Sequence, residues 1–151
     1  RLNARMLVVD DDPAHRSIIA RIGFRAGFQV VEAASLATAL ASLQDDTEFA
    51  CLVIDLFLGA ECGGDLFSLI AERHPRSGVI IITGADRSAR KRSETDSIDA
   101  GVNVVGILPK PVDLECLRRR FEQVRGSAMP QGARDGRIPA QAEGERTEAC
   151  A

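Results

Sequence analysis

The stretch VVDDDP, residues 8–13, poses the question on which the fold turns: an apolar run stops abruptly in three consecutive carboxylates, and a proline follows. Val8 and Val9 continue from Met6 and Leu7 as a short apolar run suited to a buried strand, whereas Pro13 suits the first turn of a helix. Two unit charges about 4 Å apart repel by roughly 4 kcal/mol at an effective dielectric of 20. Crowding Asp10, Asp11 and Asp12 at one strand end therefore costs stability until a cation joins them.

The same alternation repeats outward from this junction. The runs MLVV (6–9), QVV (29–31), CLVI (51–54), VIII (79–82) and VVGIL (104–108) are too short for most helices, and their continuous apolarity suits strands covered on both faces. Between them, Ile18, Ile19 and Ile22, then Leu36, Leu40 and Leu43, then Leu66, Leu69 and Ile70, and finally Leu114, Leu117, Phe121 and Val124 recur at helical spacings. Pro13 marks a helix start, and Gly27 and Gly101 mark helix ends. The pattern predicts five βα units: an α/β fold with a doubly wound, five-stranded parallel sheet and helices on both faces. The segment DRSARKRSETDSIDA, 86–100, carries only Ile98 as a bulky apolar residue, so the fourth helix is expected to be weakly packed or partly irregular. Residues 1–126 read as the domain. From 127 onward only Met129 and Ile138 are large and apolar, a composition expected of a disordered tail or linker.

With 151 residues, 45% hydrophobic and 27% charged, the chain suits one domain with an aliphatic core. A net charge of -3 gives no reason to expect a nucleic-acid or anionic-membrane surface, and no helix-turn-helix pattern follows Arg125. No apolar run approaches the ~18 to 20 residues of a membrane span, and no long apolar segment follows the first arginines, so a cytoplasmic location is expected. The chain begins at Arg1 and not at Met, as expected of a piece of a longer protein. Cys51, Cys62, Cys116 and Cys150 form no C-x-x-C pair and have no histidine at a ligand spacing, so they read as reduced thiols. His15 and His74 read as solvent-facing helix residues, and Arg87, Arg90, Lys91 and Arg92 as a solvated basic face.

A doubly wound sheet opens its ligand crevice at the carboxyl ends of the strands. Asp10 to Asp12 end the first run, Asp55 the third, Thr83 the fourth and Lys110 the fifth. Carboxylates, a hydroxyl and an ammonium are thus expected at one edge.

On these pieces, VVDDDP, VIDLFL, ITGA and LPKP, residues 5–126 resemble the receiver domain of bacterial two-component response regulators. The resemblance implies the flavodoxin-like strand order 2-1-3-4-5. It implies Asp55 as a phosphoacceptor and Mg²⁺ as cofactor, with Asp11 a direct ligand, Asp10 a ligand through water, and Asp55 and the Phe57 backbone carbonyl completing the protein's share. Lys110 would pair with the phosphoryl oxygens, Thr83 would move to hydrogen-bond them, and Pro111 would follow a cis peptide. Phe57 and Ala85, two residues after the phosphoacceptor and the hydroxyl, would tune the phosphate's lifetime. Such a domain is a phosphorylation-dependent switch and not an ordinary enzyme, although it assists its own phosphotransfer and dephosphorylation. Its implied partners are a sensor histidine kinase or phosphotransfer protein, and a downstream protein or attached output domain.

The sequence also departs from the family pattern. Ile107 stands where an aromatic switch residue is usual, and Gly59 where proline is common. The 27-residue step from Thr83 to Lys110, with NVVGILPKP, resembles receivers that precede a cyclic-di-GMP phosphodiesterase domain. Two alternatives stand beside this reading. A haloacid-dehalogenase-type phosphatase also uses Asp, Mg²⁺, Thr and Lys but needs a second Asp where Phe57 stands. An unphosphorylated pseudo-receiver, acting as a protein-interaction module, would not need the intact acid, hydroxyl and lysine set.

Overall fold

The computed structural model describes residues 4–127, apart from 46, 59–60 and 85–86. Strands β1 (Ala4–Val9), β2 (Phe28–Ala33) and β3 (Cys51–Asp55) alternate with helices α1 (Pro13–Arg25) and α2 (Leu36–Gln44). A short hairpin, β4 (Phe57–Leu58) and β5 (Glu61–Cys62), and a 3-10 turn at Gly63–Leu66 lead into α3 (Phe67–Arg73). Strand β6 (Gly78–Thr83), helix α4 (Arg87–Ala100), strand β7 (Val104–Pro109) and helix α5 (Leu114–Ser127) complete the order. The main sheet runs β2-β1-β3-β6-β7, every pair parallel. Counting only these five strands, this is the expected order 2-1-3-4-5.

The continuous apolar runs follow from a sheet with two covered faces. Leu7, Val9, Leu52, Ile54, Val79 and Ile81 point into one core with Ala39, Leu43, Leu66 and Ile70 from the α2–α3 side. Their sequence neighbours Met6, Val8, Cys51, Val53, Ile80 and Ile82 point into the other, with Ile19 of α1 and Leu117 and Phe121 of α5. Fully burying a large aliphatic side chain contributes roughly 1.5 to 3 kcal/mol, so the alternation fixes each strand's facing. Gly23 lets α1 lie close to the sheet: a Cβ there would sit 2.6 Å from Met6 Sδ.

Caps set the helix ends. Asp12 accepts the backbone N–H groups of Ala14 and His15 at 3.0 and 3.3 Å, with Pro13 in the first turn. Gly27 and Gly101 take φ of 101° and 88°, the left-handed conformation that stops α1 and α4. An irregularity in the β6–β7 register, from Val79↔Val104 to Ile80↔Gly106, places Val105 as an extra residue on edge strand β7.

The expectation for the fourth helix is met in its weak packing and not in irregularity, and three other expectations need correction. Helix α4 is continuous over its 14 residues and not irregular, because Arg87–Ala100 contains no glycine or proline and ends at Gly101. Its described side chains Ser88, Lys91, Arg92, Thr95, Asp96 and Asp99 are exposed, while Ala100 packs against the core. His74 is buried, not solvent-facing, with Nε2 2.7 Å from the Leu43 carbonyl. His15 is half-buried against Asp10. Cys51 and Cys62 are free, whereas Cys116 is disulfide-bonded. Among the described residues, no helix is long and apolar enough to cross a membrane. The expected tail lies outside the described residues beyond 127.

Candidate functional site

Adjacent parallel strands end side by side, so the sheet register assembles the site from residues far apart in sequence. Asp55 pairs with Ile82 and Thr83 with Pro109, which sets Thr83 between Asp55 and Lys110 along the sheet edge. The backbone N–H of Lys110 donates to the Thr83 carbonyl at 2.9 Å. Lys110 Nζ then reaches back to Asp55 Oδ2 at 2.7 Å. The Lys110–Pro111 peptide is cis, as the resemblance implies.

The three consecutive carboxylates separate into three environments. Asp10 is buried, Asp11 is exposed, and Asp12 caps α1. Asp10 Oδ1 accepts the Asp12 N–H at 2.9 Å, and Asp10 Oδ2 meets His15 Nδ1 at very short range. Arg16 holds the strand end from behind, with Nη1 donating to the Asp10 carbonyl at 2.9 Å and Nε to Glu32 at 3.0 Å. Asp55 is fully buried, and its Oδ1 accepts the Phe57 N–H at 2.9 Å.

The electrostatics follow from this burial. Loss of solvent raises the Asp55 pKa above the usual carboxylate value and Asp10 adds to the rise, while Lys110 and the Phe57 N–H oppose it. Burial works against the Lys110 ammonium, but Asp55, Asp10 and Asp11 together outweigh it and raise the lysine's pKa. Thr83 Oγ1 is buried and has no hydrogen-bond partner among the described residues. An orphaned buried hydroxyl costs roughly 1 to 3 kcal/mol, and an arriving acceptor would recover it.

Asp10, His15 and Asp55 each offer a ligand atom, and these atoms lie within 4.8 Å of one another. Buried carboxylates without enough cationic charge suit a hard divalent ion, which takes oxygen ligands. Asp11 lies toward solvent outside that trio. The exposed Phe57 ring reaches Gly84, since a Cβ there would sit 3.4 Å from it. Ile107 is half-buried in β7 against the α2–α3 core. Ala85 and Gly59 lie outside the described residues, as do the side chains of Arg87 and Arg90.

Sequence reasoning missed His15 and Arg16. The available signal was the Asp12 cap: side chains in a first helical turn point back toward the N-terminus, here toward the end of β1.

The response regulator receiver domain family matches residues 6–122. The chain belongs to this family. Receiver domains are phosphorylation-dependent switches of two-component systems; their residue at this work is a phosphoacceptor and not the centre of an ordinary enzyme. Over 113 residues the receiver is 29% identical to the sensor protein TorS of Escherichia coli (strain K12), covering 75% of this chain and 12% of that protein. It is similar in structure to a CheY-like receiver domain protein of Methanospirillum hungatei JF-1, with a TM-score of 0.68, 23% identity, and 83% and 99% of the two chains covered. A response regulator protein from Burkholderia pseudomallei, solved with a phosphorylated aspartic acid, calcium ion and citrate, matches with a TM-score of 0.68 and 20% identity over 98% of this chain and 89% of that one.

Proposed function

We propose that this receiver takes a phosphoryl group on Asp55 from a histidine kinase or phosphotransfer protein and passes the signal to a downstream protein or attached output domain. The observation that carries the reading is the buried Asp55 carboxylate beside Lys110 Nζ at 2.7 Å, with the Thr83 hydroxyl, which has no hydrogen-bond partner among the described residues, between their strands. One Asp55 oxygen attacks phosphorus as the phosphorus–nitrogen bond of phosphohistidine breaks, and the imidazole leaves with a proton. Lys110 steadies the added charge, and the Thr83 hydroxyl gains an acceptor.

Asp10, Asp11, Asp55 and the Phe57 carbonyl would hold Mg²⁺, which when bound would neutralise phosphoryl oxygens. Thr83 acts as the moving element, and half-buried Ile107 supplies no aromatic partner for that motion. Residues 1–126 form the switch, and 127–151 serve as its tail or linker, in the cytoplasm.

Hydrolysis of the acyl phosphate would be slow, because neither Phe57 nor Ala85 has a side-chain polar atom to orient water. Acetyl phosphate with Mg²⁺ should therefore add one phosphoryl mass to the chain, and Asp55→Asn should add none. Followed over time, Phe57→Asn should lose its phosphate roughly threefold faster than the unaltered protein if water positioning sets the lifetime. Equal labelling of Asp55→Asn would remove the nucleophile assignment, and equal decay would remove the role of Phe57.

A further inference from the structure

Position 15 adds chemistry that carboxylates alone lack. His15 reaches into the pocket from the first turn of α1, and its Nδ1 faces Asp10 Oδ2. Its side chain is 22% exposed and that of Asp10 1%, so the contact lies inside the pocket mouth and not on a solvated face. Three donors from three places in the chain, two oxygens and one nitrogen, lie within 4.8 Å of one another. Adjacent ligands of one ion with bonds of about 2.1 Å sit roughly 3 Å apart, and opposed ligands about 4.2 Å, so small shifts would bring the trio onto one centre. The buried Thr83 hydroxyl at the neighbouring strand end, without a hydrogen-bond partner among the described residues, is an independent sign that the pocket is built around a group that brings its own oxygen atoms.

We propose that His15 is a nitrogen ligand to the metal held by Asp10 and Asp55, so that the pocket prefers borderline first-row ions such as Co²⁺, Ni²⁺ or Zn²⁺ over Mg²⁺. The inference rests on the reading of Asp10 and Asp55 as metal ligands. Its physical cause is ligand softness: imidazole suits these ions, whereas Mg²⁺ seeks oxygen and gives up water reluctantly. With an ion bound, Nδ1 gives its lone pair to the metal in place of its contact with Asp10 Oδ2, while Asp11 stays available from the solvent side. His15 thus tunes which cation completes the switch.

The chain's two histidines make the test direct. His74 caps the far end of the sheet, next to Phe49 and the Leu43 carbonyl, and serves as an internal control. In proton NMR spectra, bound Co²⁺ should give the His15 ring protons the large through-bond contact shifts of a bonded imidazole, beyond the through-space broadening of any group near the ion, and leave those of His74 close to their starting positions. By calorimetry, Co²⁺ should bind ~100-fold more tightly than Mg²⁺, and His15→Ala should lose ~tenfold or more in Co²⁺ affinity while changing Mg²⁺ affinity less than about twofold. A plain His15–Asp10 ion pair makes the opposite forecast: the imidazole competes with metal, and its removal tightens every ion alike. That outcome, or His15 ring protons that are broadened but show no contact shift, overturns the proposal. The NMR arm needs no variant, so it decides even if His15→Ala folds poorly. Labelling of Asp55 by acetyl phosphate with Mg²⁺ keeps the two ideas apart. Labelling without Co²⁺ preference sinks only the ligand assignment, and a shifted His15 signal without labelling by any ion sinks only the phosphoacceptor reading.

Discussion

The ends of β1 and β3 lie side by side and each buries a carboxylate, yet they hold it in opposite ways. Asp10 is satisfied by its own neighbourhood, the Asp12 N–H two residues on and His15 five residues on. Asp55 has one local partner, the Phe57 N–H, and one that arrives 55 residues later, the Lys110 ammonium. The first site is a finished turn once α1 is capped. The second is incomplete until β7 docks at the far side of β6. Charge added at Asp55 would therefore act on a contact that ties the middle of the sheet to its edge, whereas a charge change at Asp10 would stay within one βα junction.

The largest test of this contrast removes the distant partner. Lys110→Ala should slow acetyl-phosphate labelling roughly tenfold or more, because the charge that steadies the phosphoryl oxygens is gone. It should also lower stability at neutral pH by about 1 to 2 kcal/mol, less than for a sealed ion pair because Lys110 is 36% exposed. The stability loss should shrink on acidification, as the stranded carboxylate takes up a proton. Chemical denaturation at several pH values checks this, and a pH-independent loss would mean that Lys110 contributes packing alone.

Asp55→Asn should move stability the other way, upward by about 1 kcal/mol at neutral pH without metal. The sign follows from the raised Asp55 pKa: the folded state binds this proton more tightly than the unfolded chain. Ionisation therefore erodes stability as pH rises from the unfolded value through the folded one. Asn cannot ionise, so its advantage should fade below the usual carboxylate range. The smallest effect belongs to Asp11→Ala. Reading the three carboxylates as equivalent predicts a gain of roughly 0.5 to 2 kcal/mol from relieved repulsion. Exposure of Asp11 to solvent cuts that to a few tenths of a kcal/mol, so paired thermal melts of the two variants measure how unequal the carboxylates are.

Much of this organisation was legible because burial on both faces leaves a plain trace. Runs such as VIII, flanked by helical periodicity and stopped by Gly27 or Gly101, have few readings besides strands of a covered parallel sheet. Asp10, Asp55, Thr83 and Lys110 were legible as strand ends, since adjacent parallel strands bring their termini together whatever their separation in sequence. The β4–β5 hairpin left no trace, because strands of two residues have no period. His74 was misread for a different reason: its partner is the Leu43 carbonyl, 31 residues away, and no local pattern marks it. The inequality of Asp10 and Asp11 was equally hidden, because composition cannot tell which of two adjacent acids turns inward.

Gly63 carries no chemistry, yet it packs directly against the backbone of Asp55. A Cβ at this position would come within 2.5 Å of the Asp55 backbone carbonyl oxygen and 2.9 Å of Ile54 Cγ2. Neither can retreat easily, since both belong to a central strand. Its neighbour Gly64 faces looser surroundings, with Cys62 Sγ at 3.4 Å as the nearest atom. In a library that samples every amino acid at both positions and selects for signalling, position 63 should behave as though it were an active-site residue and position 64 as ordinary loop. Mutational intolerance would then report the space that the scaffold reserves, and a residue that never touches phosphate would look indispensable to it.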